Sequence, residues 1–89
     1  MPAEIVQTTL LPARMQECVV LMDDYGSTHR LYINVAQAPS RDSIIAAEQA
    51  AMNGRQTQLE AYATANGHDL SGLKLANVAA KQAKLKGPK

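Results

Sequence analysis

Two histidines, one cysteine, a pair of adjacent aspartates and a lysine-rich final segment are the parts of this 89-residue chain that could do chemistry. His68 and Asp69 have the residue types of a general base and its orienting carboxylate. Adjacent residues rarely face each other in that way, and no Gly-rich or nucleophile-elbow context surrounds them. His68 reads as a surface or capping residue just beyond a helix end, and His29 as a neighbour of a hairpin turn. Cys18 lies between Glu17 and Val19, with no flanking cation to favour the thiolate, and reads as a small buried hydrophobe. Asp23 and Asp24 lack the further oxygens that calcium needs, and a turn accounts for both. Cys18, His29 and His68 do not make the four-ligand set of a zinc site. The glycines fit neither a Walker loop nor a dinucleotide fingerprint. The expectation is therefore a protein that is not an enzyme and that uses no metal or cofactor.

Binding chemistry is better represented. Residues 1–69 hold four Arg and eight acidic residues, a balance of −4; residues 70–89 hold five Lys and no acid, a balance of +5, and together they return the net +1. Lys74, Lys81, Lys84, Lys86 and Lys89 could neutralise phosphates or meet an acidic protein surface, and phosphate binding of that kind weakens steeply with salt. Solvation of a loose basic end is the bland account of the same residues. Arg30 and Tyr32, two apart on one strand, could stack a nucleic-acid base. The closely paired basic and aromatic positions of an RNA-recognition sheet are missing, and a Tyr covering a sheet face suffices.

Elements must exist to position these groups. The hydrophobic share is 46%, but it includes 15 Ala and no Phe or Trp, so aliphatic side chains must build a thin core. Ile5 to Leu11 is rich in β-formers and ends at Pro12, which predicts an edge strand or an extended arm. Met15 to Val35 reads as a β-hairpin around Asp23-Asp24-Tyr25-Gly26, a type I turn with a Gly bulge. That turn places Val19 opposite Leu31 and Met15 opposite Val35, with Leu21 and Ile33 on the same, inward face. A turn one residue longer would swap the faces of the first strand only. The second face carries Cys18, Val20, Met22, Arg30 and Tyr32, and such a half-apolar face needs a cover from a helix or another subunit.

Pro39-Ser40-Arg41-Asp42 opens a helix, with Ser40 as the N-cap and Asp42 suited to the helix dipole. Ile45, Met52 and Leu59 recur every seven residues as a narrow apolar stripe up to the Asn66-Gly67 C-cap. Gly54 either breaks this helix or marks a close contact, and the continuing phase favours one helix. From Leu70 on, Leu75, Val78, Gln82 and Leu85 share a helical face, closed by Gly87-Pro88.

The expected fold is α+β. A small antiparallel hairpin, three-stranded if residues 5–11 pair with it, packs on one long helix over residues 1–69. Residues 70–89 follow as a basic tail, helical or flexible, whose removal after Asp69 is expected to leave thermal stability nearly unchanged. Leu31, Ile33, Val35, Ile45, Met52 and Leu59 should meet. No apolar run reaches the roughly 18 residues of a membrane span, and Met1-Pro2-Ala3-Glu4 does not open a signal peptide. The expected place is the cytosol or the interior of an assembled virus particle. In general style the composition resembles small proteins of phages and other mobile elements. The expected function is non-catalytic protein–protein interaction, as a self-associating structural accessory, a module docking on a larger complex, or a small inhibitor. The partner-binding set is Val20, Met22, Arg30 and Tyr32. The alternative is nucleic-acid binding through the lysine segment; no membrane role is expected, since that segment has no aromatic anchor.

Overall fold

In the computed structural model, described for residues 3–86, three antiparallel strands form a meander of order β1-β2-β3 and two helices follow. Strand β1 is Glu4–Leu11, β2 is Gln16–Met22 and β3 is Thr28–Asn34; helix α1 is Arg41–Ala65 and α2 is Ser71–Lys86. The α+β class and the hairpin are as the sequence predicts, and residues 5–11 do pair as a third strand. Pro12–Arg14 make a single 3₁₀ turn, and Met15 reverses the chain in the left-handed region at φ 53°.

The β2–β3 register places Val19 opposite Leu31 and Met22 opposite Thr28, as the type I turn with a Gly bulge requires. Asp23 N–H donates to the Ser27 carbonyl at 3.0 Å. The Asp23 carboxylate accepts from the N–H groups of Tyr25 and Ser27, each at 2.9 Å, so the aspartate fixes the turn from within. Gly26 has φ +88°, and a Cβ there would stand 2.6 Å from Asn77 Oδ1, so α2 packs directly on this turn.

The core lies between the sheet and α1. It consists of Ala3, Val19, Leu21, Ile33, Ile45 and Met52, flanked by Ile5, Leu31 and Ile44. Two of the expected members are absent: Val35 is 47% exposed and Leu59 is 42% exposed. Val35 lies beyond the end of β3, where the chain enters a 3₁₀ segment over Val35–Ser40. Along α1 a strict seven-residue repeat drifts by roughly 20° per heptad on a straight helix, which rotates Leu59 off the sheet. Gln56 and Ala63 are buried in its place. Met15, expected on the inner face, is also exposed.

Ser40 makes no side-chain cap bond. The 3₁₀ segment runs straight into α1, and the capping box forms earlier, between Asn34 and Gln37. Helix α1 continues through Gly54, and beyond the adjoining helix backbone no atom lies within 4 Å of where a Cβ would stand. At its far end Gly67 takes φ +75°, while His68 N–H reaches the Ala63 carbonyl and Gly67 N–H the Thr64 carbonyl, a Schellman closure.

Candidate binding face

The final helix changes the meaning of the lysines. Lys81 is 1% exposed. Its Nζ lies 2.6 Å from the Asp24 carboxylate and 3.4 Å from Glu4, so one buried cation ties α2 to the hairpin turn and to the start of β1. Lys74 pairs with Glu60 at 3.3 Å. The expected phosphate- or acid-binding role therefore fails for Lys81, which is internal, and Lys74 is already engaged. Lys84 is exposed beside the sheet. The Lys86 side chain and Lys89 lie outside the described residues. The inward side of α2 runs through Lys74, Asn77, Val78 and Lys81, all wholly or partly buried. Of the expected apolar face only Val78 lies on this inward side, for Leu75 is 74% exposed and Leu85 is 38% exposed.

A polar network surrounds this junction. Gln56, buried on α1, accepts from Asp24 N–H at 3.1 Å and donates to the Asp24 carboxylate at 3.1 Å. Burial would push the Asp24 carboxyl upward, but the hydrogen bonds from Lys81 and Gln56 outweigh it and hold the group below its ordinary range. Tyr25 donates to Glu60 at 2.6 Å. That bond and partial desolvation push the phenol up to about 12, and the same bond lowers Glu60. Opposite, Arg41 forks onto both Glu17 oxygens at 2.7 and 3.1 Å, and the guanidinium lowers Glu17.

The sheet's outer face carries two grooves that no α1 residue lines. By register, Gln7 and Thr9 of β1, Cys18 and Val20 of β2, and Arg30 and Tyr32 of β3 share it. Helix α2 covers one end only, through Ala83 and Lys84, leaving a groove of about 620 Å³ over Val6, Val20, Met22 and Arg30. A second groove of about 260 Å³ continues from Gln7, Val20 and Arg30 to Arg14 and Tyr32. Of the expected partner-binding set, Val20 is half-buried, Arg30 is exposed and Tyr32 is 45% exposed. Met22 forms the groove floor but is largely buried, so it offers little contact area. Arg14 was not anticipated at this face. The 3₁₀ turn after Pro12 brings its guanidinium over the Tyr32 ring, 5.1 Å from the centroid. A basic residue after the strand-ending proline was the only signal for it.

The groups that suggested catalysis are otherwise occupied. Asp69 accepts from the N–H and the hydroxyl of Ser71 at 2.9 and 2.7 Å and so opens α2 rather than orienting His68. The His68 ring stacks on Tyr62 at 6.4 Å. His29 faces Glu48 at 3.6 Å. Among the described residues no group of three or more His, Cys, Asp or Glu could hold a metal ion, and no helix is long and apolar enough to cross a membrane. No family model, curated protein or solved structure matches the chain.

Proposed function

We propose that this protein is a non-catalytic protein-interaction module, self-associating or docking on a larger complex. One observation carries the reading: nine large hydrophobic side chains among the described residues are more than a third exposed. Several are grouped rather than scattered. Leu10 and Val35 line one apolar hollow with Ile33 and Ala38, and the Met15 carbonyl accepts the Val35 N–H beside it. Tyr32 stands on the open outer face. Grouped apolar exposure of this kind is what a partner covers.

The test compares the wild type with Tyr32→Ala and with Val35→Ser. Sedimentation over a wide concentration range and retention of proteins from the native host are measured together. The wild type is expected to bind its own copy or a partner, and one of the variants to lose that binding while staying folded. A monomer at every concentration that retains no protein would refute the proposal. Nucleic-acid binding through the lysine segment is the weaker reading, because Lys74 and Lys81 are held by carboxylates of the same chain. Salt-dependent retention on DNA that disappears in Lys84→Glu would favour it.

A further inference from the structure

The distribution of paired and unpaired charge singles out the outer sheet face. Every carboxylate side chain has a partner within the chain. Glu4 and Asp24 meet Lys81, Glu17 and Asp42 meet Arg41, Glu48 meets Arg55, and Glu60 meets Lys74. Asp23 and Asp69 bind the N–H groups of their own turns. Among the described residues, the cations left with no carboxylate partner are Arg14, Arg30 and Lys84. All three line the two continuous grooves of the outer face.

We infer that this face takes an acidic segment of a different protein, with aliphatic side chains in the groove and carboxylates against Arg14, Arg30 and Lys84. The inference rests on the interaction reading above and names the chemistry of its partner. The unpaired positive charge calls for a negative occupant. The groove floor of Val6, Val20, Met22 and Ala83 is aliphatic. Single-stranded nucleic acids are held on successive aromatic platforms. Tyr32 is the lone aromatic here, and Arg14 already lies over its ring. Aliphatic side chains and carboxylates on one segment match this surface better than bases and phosphates do. A second copy of the chain fits poorly at this face, because its own carboxylates are engaged.

The test pans a random peptide library on the immobilised protein, then titrates a selected peptide while amide shifts are recorded. An oligothymidylate of similar length is titrated in parallel. Selected peptides should be enriched in Asp and Glu beside Leu, Ile or Val and should shift the amides of Val20, Arg30 and Tyr32. Their affinity should fall as salt rises and drop roughly tenfold or more in the folded Arg30→Glu variant. Oligothymidylate should leave those amides in place. Binding that Tyr32→Ala abolishes but Arg30→Glu does not would overturn the acidic partner while preserving the docking face. Displacement of the peptide by oligothymidylate would assign the face to nucleic acid and overturn the inference. Recovery of no binding peptide, or shifts confined to other surfaces, would overturn it as well.

Discussion

Lys81 and Asp24 show how much one pair of residues decides. Breaking a buried ion pair leaves a charge without compensation, at a cost of about 3–5 kcal/mol. Asp24 keeps 13% side-chain exposure and its Gln56 bond, so Lys81→Met should cost roughly the lower end of that range. Urea denaturation measures it. Asp24→Asn combined with Lys81→Met should recover part of the loss, because the asparagine oxygen can still accept from Gln56. A single variant as stable as the wild type would show that the pair contributes nothing. This residue was the least legible part of the sequence. A lysine in a segment with no acid reads as solvated, and its two carboxylate partners, Glu4 and Asp24, lie more than 50 residues earlier in the chain. Only tertiary docking shows that they meet. Val20, Arg30 and Tyr32 were legible as one face because period-two alternation fixes faces once a turn is placed. Arg14 was not, since its direction depends on the 3₁₀ turn after Pro12 and on the left-handed Met15.

The elements themselves were readable where local chemistry sets them. The Asp-Asp-Tyr-Gly turn, the β2–β3 register and the Asn66-Gly67 helix stop each follow from local rules that the structure obeys. The inner stripe of α1 was readable as far as Met52 and lost beyond it. There the helix passes over the hairpin turn, where a buried Gln56 serves better than an apolar residue. Two predictions belong at this scale. Gly54 is helical, exposed and free of neighbours, so Gly54→Ala should stabilise the protein by about 0.5–1 kcal/mol. Calorimetry would read this as a raised midpoint, and a lowered one would point to a contact on α1 that Gly54 protects. Truncation after Asp69 bears on α2. The sequence alone suggested little effect, because few apolar residues lie in that segment. With α2 seated through Lys81 on Asp24 and Glu4, removal should lower the midpoint by on the order of 10 °C or more. An unchanged midpoint would mean that α2 rests on the sheet without supporting it.

At the scale of the molecule, charge pairing sets the pH range over which the fold holds. Asp24, Glu60, Glu17 and Asp69 all ionise below their ordinary range in the native state. The unfolded chain then binds protons first, at about 3.9–4.3. The stability these groups contribute is present above that range and is lost as pH falls through the lower native values. Tyr25 works at the other extreme. Its phenol is raised to about 12, so its contribution is complete below the unfolded value of about 10 and disappears as pH rises through 12. Thermal midpoints should stay level between these limits and fall at both ends; a midpoint that rises on acidification below 4 would contradict the pairing. The molecule is also extended, with a radius of gyration of 14.9 Å against roughly 12 Å for a compact chain of this length. The 25-residue α1 spans about 37 Å and outruns strands of seven or eight residues, so its far half is buried along one side only, at Gln56 and Ala63, and Leu59 and Tyr62 stay exposed. The seating of α2 has a consequence for synthesis. Asp24 leaves the ribosome 57 residues before Lys81. At about 5–20 residues per second it waits roughly 3–11 s for its cation. During that time the nascent sheet and α1 can assemble, with the aspartate kept wet in an open turn. Lys81 then buries the Asp24 carboxylate, and α2 completes a junction begun at β1.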